Sequence, residues 1–341
     1  MTIPAPCCTI PFMNALIETQ NERGGTQIGP CDLCGSHDSI YLFEGHDRYY
    51  GVPGTFHVRR CTACGLTFIF PLPSSQEISK YYPSSFYYSY RGLKEKRKKT
   101  LLEKLAYPCT RLLREINNFL YEKALKARRG VRIIPGGKIL DLGCGAGSFL
   151  KGLKRKGMDC YGIEIAANAA QIAREAGLQI FPDLFEASFE SDTFDAITAN
   201  HVLEHMREPN KTLKELKRIL KPSGTLIIAV PNADSFAFQL FGKYWVQLDI
   251  PRHLYTFSQK TLARYLEGNG LRVTKTRYNS THLQFLGSLL YLFNRFGKKE
   301  LLLKDADNFL NNQVLKLITF PLVAICNALR KGDAVEFWAQ K

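Results

Sequence analysis

The chain has no uninterrupted apolar run of the ~18 residues that a bilayer-crossing helix takes. The nearest approaches are Leu283–Phe293 and Ile318–Cys326; both are short, and Pro321 interrupts the second. They read as buried helices, with docking onto a bilayer surface left open. Met1 to Arg23 lacks a basic start followed by a long apolar run, so no export signal is expected and a cytoplasmic location is. Internal repeats and low-complexity tracts are lacking too, which argues against stacked-repeat and compositionally biased architectures. Acidic residues are scarce beside basic ones, 31 against 46, for a formal net charge of +15 over 341 residues.

That excess is concentrated. From Arg91 to Lys138 there are fifteen Lys/Arg and four Asp/Glu, a balance of +11 that leaves only +4 for the rest. Such a segment can contact nucleic acid, anionic lipid or a phosphorylated substrate, or it can be a solvated helix face. Its aromatic residues do not alternate with its basic ones as on a single-strand-binding surface. Leu and Ile recur through 93–130 at three- and four-residue spacing, which predicts amphipathic helix. Gly130 and Pro135-Gly136-Gly137 stop it.

Ten cysteines in a chain of this size do not make a small secreted disulfide scaffold. Four of them form two matched knuckles, Cys31-Asp32-Leu33-Cys34-Gly35 and Cys61-Thr62-Ala63-Cys64-Gly65, with 26 residues between them. Glycine after each second cysteine lets the turn present both sulfurs to one ion. Two such pairs can complete a tetrahedral site, so Cys31, Cys34, Cys61 and Cys64 are expected to hold one structural zinc ion.

From Lys138 onward the pattern alternates. Short apolar strands are predicted at Lys138–Leu142, Cys160–Ile165, Leu178–Phe181, Phe194–Ala199 and Thr225–Val230. Helices are predicted at Ser148–Lys156, Asn168–Ala176 and Asn210–Leu220, the last ended by a turn at Lys221-Pro222-Ser223-Gly224. A further helix, Ser258–Asn269, a strand, Leu271–Tyr278, a helical stretch over 281–331 and a closing strand, Ala334–Ala339, complete the chain. The alternation implies an α/β fold, a mostly parallel sheet with helices on both faces.

The sequence Asp141-Leu142-Gly143-Cys144-Gly145-Ala146-Gly147-Ser148 lies between the first of these strands and its helix. Glycines there allow tight turns and close backbone approach to a ligand, and a helix N-terminus offers free N–H groups. The third glycine of a dinucleotide fingerprint is missing, because Ser148 holds its place, and the Gly-Lys-Ser/Thr of a P-loop is absent. Glu164 ends the next strand, where a carboxylate can accept from both hydroxyls of a ribose.

The Gly143, Gly145, Gly147 spacing behind Asp141 resembles the first motif of class I S-adenosylmethionine-dependent methyltransferases. Asp183-Leu184, Phe194-Asp195-Ala196-Ile197, Asn200-His201-Val202-Leu203-Glu204-His205 and Lys221-Pro222-Ser223-Gly224-Thr225-Leu226 resemble that family's later segments, in its order, over about 138–278. The resemblance implies a Rossmann-like sheet of seven strands. It places the cofactor S-adenosylmethionine on Asp141, Gly143, Gly145, Gly147, Glu164, Asp183, Leu184 and Asn200. The run Gly65-Leu66-Thr67-Phe68-Ile69-Phe70-Pro71-Leu72-Pro73 after the second knuckle resembles the zinc-ribbon front end of many small-molecule methyltransferases, sugar C-methyltransferases included. The expected layout is a flexible tail at 1–27, a zinc ribbon at 28–75, a basic helical connector at 76–135 and a methyltransferase domain at 136–341, with helical insertion at about 281–331.

The acceptor side is less legible. Trp245–Tyr255 contains Asp249-Ile250-Pro251-Arg252-His253, which resembles a stretch of one large methyltransferase subfamily. His253 titrates in the range suited to a general base, and Arg252 suits a carboxylate or phosphate. The other reading of this loop is an internal Asp249–Arg252 pair with His253 capping a helix. His201 and His205 bracket Glu204 at a spacing that shares one face if helical. Packing beside the cofactor is expected of His201, and structural hydrogen bonding of Glu204 and His205. The expected partner is a small-molecule or activated-saccharide acceptor. Methylation of RNA or protein, or a non-catalytic zinc module that binds nucleic acid, are the alternatives.

Overall fold

The computed structural model describes residues 29–82, 107–124, 130–295 and 301–341. The expected tail at 1–27, the tyrosine-rich stretch from residue 83 and the basic residues 91–104 lie outside the described residues.

The first three strands follow the two knuckles. Cys31–Cys34 precede β1 (Ser39–Gly45), and Cys61–Cys64 form the turn between β2 (Phe56–Cys61) and β3 (Thr67–Phe70). In each knuckle the glycine takes a left-handed φ, 72° at Gly35 and 81° at Gly65, and its N–H donates to the carbonyl of the first cysteine. A side chain would strain either turn. Helix α1 (Ser75–Ser79) follows, capped reciprocally by Ser74 and Glu77. Within the expected basic helix, α2 (Tyr107–Asn118) runs on into a wider turn at Phe119–Ala124.

The alternating half folds as its pattern predicts. Strand β4 (Lys138–Leu142), α3 (Ser148–Lys154), β5 (Asp159–Ile163), α4 (Ala167–Glu175), β6 (Gln179–Phe181), β7 (Phe194–Asn200), α5 (Pro209–Ile219) and β8 (Leu220–Pro231) succeed one another. Helix α6 (Phe236–Phe241) and the two-residue β9 (Tyr255–Thr256) come next. Then follow α7 (Gln259–Gly268), β10 (Arg272–Tyr278), α8 (Leu283–Asn294), α9 (Asp307–Leu310), α10 (Gln313–Ala328) and β11 (Ala334–Gln340). The main sheet has seven strands in the order β10-β11-β8-β7-β4-β5-β6, parallel from β8 to β6, with β11 antiparallel to both its neighbours. The central strands β4, β7 and β8 are buried on both faces, which is why they read as apolar runs rather than alternations.

One local expectation changes. Residues 221–224 do not separate α5 from β8; they lie inside the strand's span. Phe194 pairs with Leu220 and Ala196 with Thr225, so the four residues bulge out, which accommodates a proline that cannot donate to the ladder. Pro321 sits inside α10, within the helical stretch expected over 281–331. It lies on an exposed part of the helix, where a carbonyl left without a donor can take water.

The ribbon is bolted to the main sheet. Strand β9 adds to β3, making a four-stranded sheet β1-β2-β3-β9, while the next residue, Phe257, bridges to Asn232 at the end of β8. Asp32 in the first knuckle accepts from Asn210 N and Tyr265 Oη, at 3.1 and 2.9 Å. The apolar core runs without a break from Leu42, Val58 and Leu66 to Leu140, Ile197 and Ile228.

Arg252 closes the joint. Its guanidinium is fully buried and donates to Asp47 in the ribbon (2.8 Å), to Asp249 (3.0 Å from Nε) and to the carbonyl of Tyr81. It also lies over the rings of Tyr50 and Tyr49, at 4.9 and 5.4 Å. Removing one side of a buried pair strands the other charges in a low-dielectric interior. Arg252→Ala is therefore expected to cost about 3–5 kcal/mol of stability, read as a fall in the urea unfolding midpoint. A change below about 1 kcal/mol would show the joint to be peripheral to folding.

Candidate functional site

Every parallel strand delivers its C-terminal end to one edge of the sheet, and the expected cofactor residues gather there. Gly143 follows β4, Glu164 follows β5, Asp183 follows β6, and Asn200 ends β7. The three loop glycines all take left-handed φ values, 69°, 55° and 74°. Their surroundings differ. A Cβ on Gly143 would stand 2.6 Å from Val202, and one on Gly147 would stand 2.4 Å from Leu178. Those two glycines are required by packing. Gly145 has nothing within 4 Å of a Cβ position, so its backbone faces open space. The loop is thus an open cradle at the sheet edge.

The carboxylates around the cradle have structural work. Glu164 accepts from Gly145 N at 2.8 Å and from Ala166 N at 2.9 Å, so it shapes the loop expected to flank a ribose. Each of its oxygens keeps a second lone pair for a ligand hydroxyl. Asp141 is buried and accepts from the Thr198 hydroxyl at 2.5 Å, tying β4 to β7. Asp183 caps the turn at Phe185 and Glu186, and Leu184 is buried beneath it.

On the acceptor side the loop 245–255 takes its internal reading. Arg252 is fully buried and directs four of its five N–H donors to Asp47, Asp249 and Tyr81, so it offers no donor face to a substrate carboxylate or phosphate. Burial works against its charge, but the two carboxylates outweigh that and hold its pKa well above the usual value. His253, expected as the base, is 5% exposed. Its Nδ1 meets the Gln247 carbonyl at 2.7 Å, and its Nε2 points back at Glu204 and Asp249, 4.0 and 3.9 Å away. Both residues contradict their expected roles for one physical reason: tertiary packing turned this loop toward the ribbon rather than toward the open edge.

The segment after β7 is not one helical face. His201 has a left-handed φ of 54°, and a short helical turn begins only at Leu203. That kink leaves the His201 side chain 33% exposed at the sheet edge while its Nδ1 sits 3.2 Å from Oε1 of fully buried Glu204. Burial raises the Glu204 pKa, but the hydrogen bond from His201 and the nearby charges of His201, His253 and His205 bring it below the ordinary carboxylate value. The geometry is a histidine oriented by a carboxylate, with its second ring nitrogen left for the edge. His205 is different: burial and the charge of His253 push it down to about 4, and it bonds the Arg252 carbonyl.

Sequence reading missed Asp333, which precedes β11 and reaches the same edge because β11 runs antiparallel to β8. It is buried, 3.5 Å from Gln247 Nε2, with a pKa raised to about 7 by burial against the pull of Ser280, Gln247 and His201. No motif marks it; only the closing strand's direction brings it in.

Two clusters among the described residues have ligand atoms within 4.8 Å of one another: Cys31, Cys34, Cys61 and Cys64, and Glu204, His205 and His253. In the first, Cys31–Cys64 and Cys34–Cys61 sulfurs stand 3.6 Å apart. A tetrahedral zinc–thiolate site sets sulfurs about 3.8 Å apart, so the four residues fit the ion. In the second, Glu204 Oε1 meets His201, His205 Nδ1 meets the Arg252 carbonyl and His253 Nδ1 meets the Gln247 carbonyl, while the buried Oε2 of Glu204 has no hydrogen-bond partner.

Residues 110–276 match the sequence model of the family described as "Methyltransferase domain". The chain is 28% identical over 154 residues to a ubiquinone biosynthesis O-methyltransferase of Azoarcus sp., covering 41% of this chain and 66% of that protein. It is 32% identical over 126 residues to an uncharacterized protein of Methanocaldococcus jannaschii, covering 37% and 58%. The chain thus spans two thirds or less of these relatives' length. A crystal structure described as a SAM-dependent methyltransferase from Archaeoglobus fulgidus aligns with 71% of this chain and all of its own, at 20% identity and a TM-score of 0.42.

The buried Asp333 has a signed consequence. Its folded pKa lies above the unfolded value near 3.8, so the stability present below pH ~4 is lost as pH rises toward about 7. Three units correspond to about 4 kcal/mol at most. Asp333→Asn is expected to flatten the stability profile between pH 4 and 7; an unchanged profile by thermal or urea unfolding would contradict the assignment.

Proposed function

We propose that this chain, whose residues 110–276 belong to the methyltransferase-domain family, transfers the methyl group of S-adenosylmethionine to a hydroxyl-bearing small molecule, saccharides included. The observation that carries the reading is the open space over Gly145, in a loop whose other two glycines are locked by packing. Bound there, the cofactor supplies an electrophilic methyl group on a sulfonium.

The chain's own residues then have three tasks. The Gly143–Gly147 backbone and the N-terminus of α3 receive the cofactor's polar atoms. Glu164 meets the ribose with its free lone pairs, and Asp183, Leu184 and Asn200 border the remainder. His201, fixed by Glu204 through Nδ1, takes the acceptor's proton at Nε2. His201 replaces His253 in that role because it alone of the two presents a nitrogen to the edge. An O–H acceptor needs such a base, and the named O-methyltransferase relatives agree with it.

We assign the four-cysteine cluster to one structural zinc ion. With four thiolates the ion has no open position for a substrate. It would hold the two knuckles against β9 and Asp32 against α7, leaving the chemistry to the sheet edge.

Calorimetric titration with S-adenosylhomocysteine is expected to show binding by protein that carries about one zinc per chain in elemental analysis. Gly145→Arg, which fills the open space, abolishes that binding. Failure of the intact, zinc-loaded protein to bind would sink the reading. His201→Ala leaves S-adenosylhomocysteine affinity unchanged and lowers turnover on a hydroxylated acceptor by about 10²- to 10³-fold, whereas unchanged turnover would remove His201 from the mechanism.

A further inference from the structure

Helix α10 turns an apolar stripe away from the protein. Val314, Ile318, Leu322, Ile325 and Leu329 follow one another at four-, four-, three- and four-residue spacing, which confines them to about a quarter of the helix circumference. All five are exposed, between 39 and 67%. The residues that α10 buries, Val323 and Cys326, lie on the other side. Helix α2 packs beside it. Asn117 Nδ2 donates to the Gln313 carbonyl at 2.9 Å, Tyr121 Oη to the Lys316 carbonyl at 3.0 Å, and the Tyr121 and Phe320 rings meet edge to face. Helix α2 has its own exposed row at the same spacing, Leu112, Ile116 and Phe119. The α2 row and the α10 stripe lie on the sides of their helices away from this contact. Single exposed apolar residues are ordinary, but the five on one face of α10 mark a surface that something covers.

The charges around these rows indicate what covers them. Helix α10 contains no acidic residue; it carries Lys316 and is followed by Arg330 and Lys331. Helix α2 carries Arg111 and Arg114 against one acid, Glu115, which pairs with Arg111. Helix α2 lies within the most basic part of the sequence. Nucleic acid would meet the cations but has no use for exposed Ile, Leu and Val. A second copy would bring two such basic surfaces face to face. Aliphatic side chains bordered by cations match the acyl chains and headgroups of anionic lipid.

We propose that the exposed stripe of α10 docks this protein onto an anionic bilayer surface, the helix lying in the interface plane. Sixteen residues of helix reach about 24 Å, and no helix among the described residues is long and apolar enough to cross a membrane. The attachment is therefore peripheral. Helix α10 leads within a few residues to Asp333, so docking sets the acceptor edge of the sheet close to the headgroups.

The test is co-sedimentation of the full chain, zinc-loaded, with phosphatidylcholine vesicles containing about one third phosphatidylglycerol. Binding to these vesicles is expected, with weakening by salt and none to phosphatidylcholine alone. Ile318→Ser with Ile325→Ser lowers the partition coefficient about tenfold or more, while S-adenosylhomocysteine affinity and melting temperature stay unchanged. Arg330→Glu with Lys331→Glu, which leaves the stripe intact, lowers it as well. No partition of the parent protein, or equal partition of the Ile318/Ile325 variant, overturns the proposal. So does a stripe variant that loses self-association or RNA binding in the absence of any vesicle binding. S-adenosylhomocysteine binding is read in the same samples, so failure to dock stays separate from failure of the methyltransferase reading.

Discussion

The buried guanidinium of Arg252 is the constraint on which the molecule's arrangement turns. A charge with no solvent exposure persists only when its donors are taken up, and here they are taken by Asp47, Asp249 and the Tyr81 carbonyl. Those partners come from the ribbon, from the loop after β8 and from the segment after α1. Satisfying one side chain therefore fixes three parts of the chain against each other. The adjoining strand β9 then adds backbone bonds to β3, and Phe257 reaches back to β8. The ribbon is held by ions, hydrogen bonds and a continuous core at once, which makes it part of the wall of the main domain rather than a tethered module.

This joint divides labour along the sheet edge. On one side, β4, β5 and β6 end in backbone-rich turns shaped by Glu164 and Asp183, with polar groups that point into a cradle. On the other, β7, β8 and β11 bring together His201, Glu204 and Asp333, groups whose environments push them apart in protonation. Glu204 is held ionised by the histidines around it, while Asp333, with weaker compensation, resists ionisation. Such a split keeps one buried carboxylate charged against His201 while another nearby titrates close to neutrality. The same loop that supplies Arg252 also supplies Gln247 to Asp333 and to His253, so ribbon docking and the acceptor edge share their supports.

Much of this could be read from the sequence, and the reasons are local. Strands β4 to β8 declare themselves by apolar runs between glycine and proline punctuation, because a strand buried on both faces leaves little freedom in residue type. The glycine loop declares itself because only glycine tolerates φ near 70° at Gly143 and Gly147 where a Cβ would strike Val202 or Leu178. The knuckles declare themselves by spacing, and their sulfurs do converge. The bulge at 221–224 was read as a turn, because a proline's effect depends on whether its neighbours leave room for a residue that cannot join the ladder.

What the sequence alone determined, then, is the set of parts whose chemistry is carried by nearest neighbours: the strands, the glycine cradle and the paired cysteines. What only the tertiary structure decided is the role of each ionisable side chain on the acceptor side. Asp249-Ile250-Pro251-Arg252-His253 would serve equally well as a substrate clamp or an internal tie in any local reading. Asp47, 205 residues away, makes it a tie. His201 reads as packing until its left-handed backbone swings it to the edge, and Asp333 is invisible until an antiparallel strand carries it there. A charge's function depends on the dielectric and the partners around it, and both are assembled by contacts between residues far apart in the chain.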